Sequence, residues 1–202
     1  MGRLGLLAVA VVGSLALGAC GSAGGSGGRG TPTPATPPAA SPAPGSETPS
    51  SNGGSGVWTT GPLTVSHNVA VPPVPVLLGI RSAAHPDQGY DRIVFDFPGP
   101  LPGYTVRYVD EVREDPSDRP VTVPGRRFLL VVFTPAQAHT DAGAATVTPR
   151  TAGLDHPMLR GYAVAGDFEG HVSVALGLDD TAGFRVGELP GAPGRIYLDV
   201  AE

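Results

Sequence analysis

Beyond residue 57 the chain is cut into short β-patterned runs, each stopped by proline or glycine, and no window shows a convincing 3.6-residue apolar period. That punctuation predicts an all-β domain, a sandwich or a barrel. Residues 90–97 put Ile93, Phe95 and Phe97 on one face and Arg92, Val94 and Asp96 on the other. Pro98-Gly99-Pro100 and Pro102-Gly103 break that strand, and residues 104–112 resume it. Asp115-Pro116-Ser117-Asp118 reads as a turn, with 121–123 as the second arm of a hairpin. Residues 128–133 are apolar without alternation, which predicts a central strand covered on both faces. Residues 162–164 and 171–176 predict a further hairpin around 167–170, and 184–186 and 195–200 close the domain. The stretch 135–157 is a long connection of the kind that often carries function.

Composition removes whole classes of chemistry. All 13 basic residues are arginines, so there is no Schiff-base lysine, P-loop lysine or Ser-Lys dyad. Cys20 is the only cysteine, which leaves the folded part without thiol catalysis, cysteine zinc sites or disulfides. That part must rest on its hydrophobic core, and about 145 residues suffice for one. A formal charge of −5 argues against nucleic acid as a partner. No cofactor is implied.

The N-terminus carries an address. Met1-Gly2-Arg3 is followed by an apolar run over 4–17, about 14 residues, short of the roughly 20 that a membrane-spanning helix needs. This predicts a signal peptide over residues 1–19. Leu17-Gly18-Ala19-Cys20 resembles the lipobox of bacterial lipoproteins, which implies cleavage before Cys20 and a diacylglycerol on its sulfur, usually with a further acyl chain such as palmitate on its amino group. Two or three chains hold a protein on a membrane where one does not. Residues 20–56 are then a lipid-anchored linker of Gly, Ser, Thr, Pro and Ala, expected to be disordered for want of apolar surface. As a coil it would span roughly 30–36 Å, and pulled straight on the order of 120 Å. Serine and threonine among prolines also suit an O-glycosylated stalk. Residues 57–75 form a partly ordered lead-in, in which Trp58 is expected to be weakly held, and 76–202 form the domain.

Two stretches echo others. Residues 93–106 and 172–186 both read strand, turn, Gly-aromatic, strand, and Asp91-Arg92-Ile93-Val94-Phe95-Asp96 parallels Gly194-Arg195-Ile196-Tyr197-Leu198-Asp199. Each Arg-x-x-x-Asp pattern suits either a cross-strand surface pair or an arginine offered to an anionic ligand. Among five histidines none forms a His-Glu-x-x-His motif, and His139, in the long connection, is the better candidate for a ligand or metal role. Asp167, Glu169 and His171 would share a face if the backbone there were extended, and two such carboxylates could serve glycoside hydrolysis. No serine sits in a Gly-x-Ser-x-Gly setting. The candidate ligand-binding residues are therefore His139, Asp167, Glu169 and Arg195, with no catalytic or metal set.

With these residues in view, positions 76–202 resemble the AMIN-like domain of bacterial lipoproteins. The matching stretches are Gly89-Tyr90-Asp91-Arg92-Ile93-Val94-Phe95-Asp96-Phe97, Pro102-Gly103-Tyr104, Val131-Val132-Phe133-Thr134-Pro135-Ala136-Gln137-Ala138-His139, Gly166-Asp167-Phe168-Glu169-Gly170 and Arg195-Ile196-Tyr197-Leu198-Asp199-Val200. The resemblance implies a β-sandwich and a role in binding peptidoglycan or another envelope component. The expected protein is a non-enzymatic module anchored on the extracytoplasmic face of the cell membrane. The rival readings are an enzyme acting on wall polymers through Asp167, Glu169 or His139, and an accessory subunit of a membrane complex.

Overall fold

A computed structural model of the chain describes residues 56–202. The expected signal peptide, the lipid site Cys20 and all but the last residue of the 20–56 linker lie outside the described residues. Ten strands follow in order: β1 (Leu63–Val65), β2 (Gly79–His85), β3 (Tyr90–Phe97), β4 (Gly103–Val109), β5 (Arg127–Thr134), β6 (Thr151–Gly153), β7 (Leu159–Phe168), β8 (His171–Leu178), β9 (Phe184–Leu189) and β10 (Gly194–Ala201). They form two antiparallel sheets, β1-β4-β5-β8-β7-β6 and β2-β3-β10-β9. A 3-10 turn at Pro86–Gln88 is the one helical segment among the described residues.

The fold is the all-β sandwich that the punctuation and the resemblance implied. Ile93, Phe95 and Phe97 of β3 are fully buried. Phe95 and Phe97 meet Phe133 of the opposite sheet edge-on, at centroid distances of 4.9 and 5.3 Å. Each such buried side chain contributes on the order of 1.5–3 kcal/mol, and edge-to-face aromatic contacts add directional preference. The run at 128–133 lies in β5, inside the six-stranded sheet. Its Leu129, Val131 and Phe133 enter the main core, while Phe128 and Leu130 pack on a smaller cluster on the sheet's outer side.

That second cluster explains why 112–125 forms no strand. The expected turn at 115–118 closes a short hairpin, through the bridge of Arg113 with Pro120 and bonds from Glu114 N–H to the Arg119 carbonyl and Val121 N–H to the Val112 carbonyl, but 121–123 extends it into no strand. Instead the segment lies as a flap across the outer face of β7 and β8, with Val112 and Val123 packed on Ala163, Ala165 and Ala175. The face beneath is a lane of small residues. A Cβ at Gly161 would come within 2.8 Å of the Pro124 ring, and Asp115 N–H donates to the Ala165 carbonyl over 3.0 Å.

The echoes have a structural meaning. β3 leads into β4 and β8 into β9, so each echo crosses between sheets, in opposite directions. The shorter echo puts β3 beside β10, with Arg195 opposite Asp96 and Asp199 opposite Arg92.

Three acidic groups are buried, Asp91, Glu188 and Asp199. Asp91 Oδ2 accepts the N–H groups of Met158 and Leu159, both at 2.7 Å, and ties β3 to the start of β7. Glu188 Oε1 accepts from the Tyr104 hydroxyl at 2.9 Å and lies 3.0 Å from His67 Nε2, which brings the segment after β1 onto β9. Burial first, then the charge of Glu188, raises the Tyr104 hydroxyl far above the ordinary tyrosine value of about 10. Tyr108 and Tyr162 are raised as well, chiefly by burial. The folded state thus holds these protons more tightly than the unfolded chain. Their contribution is fully present below pH ~10 and is lost as pH rises beyond it. The thermal midpoint is expected to fall steeply above about pH 10, and Tyr104→Phe should make that fall shallower. An unchanged slope in the variant would remove Tyr104 as a cause.

Candidate functional site

Two of the four candidate residues meet. Asp167 Oδ2 lies 2.8 Å from His139 Nδ1, and Asp167 Oδ1 accepts the Ala138 N–H at 3.0 Å. Their separation of 28 positions is bridged because the long connection folds back onto the β7–β8 hairpin, where Ala136 N–H also donates to the Gly170 carbonyl at 2.8 Å. Asp167 is almost buried and His139 is 40% exposed, so a buried carboxylate holds a ring that reaches solvent. The pair lines a polar cleft of about 310 Å³ with Glu114, Asp115 and Arg150. Ser117 and Arg119, both hydrogen-bonded to Glu114, hold its carboxyl below the usual range. An oriented imidazole between carboxylates and a guanidinium can exchange hydrogen bonds and charge with a polar ligand.

Glu169 and His171 do not join this cleft. Glu169 and Gly170 have φ of 48° and 77°, the left-handed pair that a two-residue type I′ hairpin requires. The extended backbone needed to align Asp167, Glu169 and His171 is therefore absent. Glu169 stands exposed at the hairpin tip beside Phe168. His171 Nδ1 lies 2.9 Å from the Thr134 hydroxyl on the sheet's outer face.

Arg195 lies on the other sheet, exposed on the outer face of β10, with no ion pair or hydrogen bond among the described residues. Its echo partner is differently placed. Arg92 grips Asp199 from the neighbouring strand through Nε at 2.6 Å and Nη2 at 2.9 Å, and Arg185 Nε reaches the same carboxylate at 2.9 Å. The hydrogen bond to Asp199 raises the Arg92 guanidinium above its ordinary value. Above Asp199 the side chains alternate as a ladder. Arg185 lies 4.6 Å from the Trp58 ring and 5.1 Å from Tyr90, and Arg92 lies 5.2 Å from Tyr90 and 4.2 Å from Tyr197. Of the two readings of the Arg-x-x-x-Asp pattern, the cross-strand pair describes Arg92. Trp58, expected to be weakly held, is fixed by Arg185 and by the pairing of Thr59 with Phe184. No sequence spacing announces this ladder, because its members come from four separate segments.

Comparison with protein families finds a match to the AMIN-like domain model over residues 75–202. The chain belongs to the AMIN-like domain family. No curated protein and no solved structure matches the chain. In this AMIN-like domain the family match begins at residue 75, yet β1 and Thr59 lie upstream and pair with β4 and β9. The His139–Asp167 cleft and the Arg92–Asp199 ladder both lie within the matched region, except for Trp58. Domains of this family are binding modules of the cell envelope.

Proposed function

We propose that this protein is a lipid-anchored envelope lipoprotein whose AMIN-like sandwich binds peptidoglycan or another envelope component on the extracytoplasmic face of the membrane. The family match over 75–202 carries this reading. The Leu17-Gly18-Ala19-Cys20 motif supports the anchor, and the Gly/Pro/Ser/Thr-rich stretch behind it supports a tether to the wall. Within the sandwich, the His139–Asp167 cleft supplies oriented polar groups for a ligand.

One fractionation experiment tests both halves. The full chain is expected in the membrane fraction, and Cys20→Ser in the soluble fraction. Purified wall sacculi should retain the soluble variant well above a control protein of similar charge at moderate salt. A Cys20→Ser chain that stays with the membrane removes the anchor. A chain that washes off sacculi like the control removes the wall as ligand.

A further inference from the structure

A further cavity adjoins the His139–Asp167 cleft, with Asp115 lining both. It is a groove of about 650 Å³ on the outer face of the six-stranded sheet, where the flap stops short of β4. Strand register builds its floor in rows. Arg107 and Leu130 sit abreast on β4 and β5, and Val132 and Ser173 on β5 and β8. Leu130 and Val132 are only half-buried, so an aliphatic strip faces solvent. Asp110 and Glu111, just before the flap, and Arg113 and Asp115 within it form one wall.

Three charges in this groove are unspent. Most arginines of the domain are matched: Arg81 with Asp96, Arg92 and Arg185 with Asp199, Arg113 with Glu111, Arg119 with Glu114 and Arg126 with Asp179. Among the described residues the Arg107 side chain has no ion pair or hydrogen bond, and neither has that of Asp110 or Asp115. Arg107 stands on β4 and Asp110 in the bend that follows it, and both line the groove.

Resting on the envelope-binding reading above, we propose that this groove takes the peptide portion of the wall polymer, a short zwitterionic peptide with a free carboxylate and a free amine. The carboxylate meets Arg107, whose planar fork suits bidentate binding. The ammonium meets Asp110, and the aliphatic parts lie along Leu130 and Val132. The lining disfavours a sugar chain, which is commonly gripped by flat aromatic faces. Tyr108 is the one phenol there, and its hydroxyl is tied to the Ala182 carbonyl at 2.7 Å and the Ala182 N–H at 3.0 Å.

The test uses the full chain in detergent and the soluble tripeptide L-Ala-γ-D-Glu-diaminopimelate, with an N-acetylglucosamine tetramer as the second probe. Binding is followed by titration calorimetry, beside retention on intact sacculi. The tripeptide should bind and the tetramer should not, and Arg107→Gln should weaken tripeptide binding at least tenfold while leaving the thermal midpoint unchanged. Asp110→Asn should weaken it severalfold. If sacculi retain the chain but the tripeptide does not bind, or binds Arg107→Gln equally well, the groove assignment is overturned and the envelope reading stands. Binding of the tetramer instead also overturns it. No retention on sacculi overturns the envelope reading, and the groove's ligand with it.

Discussion

Asp199→Ala is expected to lower the stability of the domain by about 3 kcal/mol. Asp199 is fully buried and accepts three hydrogen bonds from two guanidinium groups. Removing one partner of a buried ion pair costs roughly 3–5 kcal/mol, because the stranded charge keeps its desolvation penalty. The lower end applies, since Arg92 and Arg185 are 27% and 30% exposed and can recover some water. Against a total of about 5–15 kcal/mol the loss is large, and it corresponds to roughly 10 °C in thermal midpoint. The stacking of Arg92 and Arg185 on Trp58, Tyr90 and Tyr197 should weaken with it, visible as a change in the Trp58 emission. Replacing Asp199 and Arg92 together by leucine should recover part of the loss, because no carboxylate or Arg92 charge then remains. A loss below about 1 kcal/mol in the alanine variant would place Asp199 with ordinary surface pairs.

Gly177→Ala should destabilise the domain by a comparable amount through sterics alone. A Cβ at Gly177 would lie on the Pro124 carbonyl oxygen, with the Pro124 carbonyl carbon at 2.8 Å and Val123 Cγ1 at 3.1 Å. These are mostly backbone atoms, so the flap itself must lift. Overpacking of this kind costs about 1–3 kcal/mol and occasionally more. Limited proteolysis should then cut within 112–125 first. Gly153→Ala is the control, since its nearest neighbour is the far end of the Pro124 ring at 4.0 Å. Equal denaturation midpoints for the two variants would mean that the flap does not depend on the lane beneath it.

Local pattern made much of the fold legible. Alternation in 90–97 identified both faces of β3, and the unbroken apolar run at 128–133 marked a strand inside its sheet. The turn at 115–118 was legible, but not that its hairpin is only one bridge long and that 121–123 lies flat as a flap, because turn residues and valines say where a chain bends, not what it lies on. A signal was present: Gly161, Ala163, Ala165, Ala175 and Gly177 give the facing strands a row of small side chains. The candidate site was legible only in part. His139 and Asp167 stood out as polar residues in informative stretches, but their contact depends on how 135–150 folds back. Glu169 left the set because one positive φ turns its side chain away. Glu188, Tyr104 and His67 gave no sign at all, for their partners lie 84 and 121 positions apart.

The way the chain enters the sandwich has a mechanical consequence. Thr59 exchanges two backbone hydrogen bonds with Phe184, at 2.9 and 2.8 Å, on the edge of one sheet. Four residues later β1 pairs with β4 on the edge of the other. Tension arriving from the N-terminal side is therefore split across both sheets in succession, and Trp58 beneath Arg185 takes the first of it. A domain that holds one load while tethered to another yields at these edges before its core is disturbed, and force-probe unfolding should show their release as a step of its own.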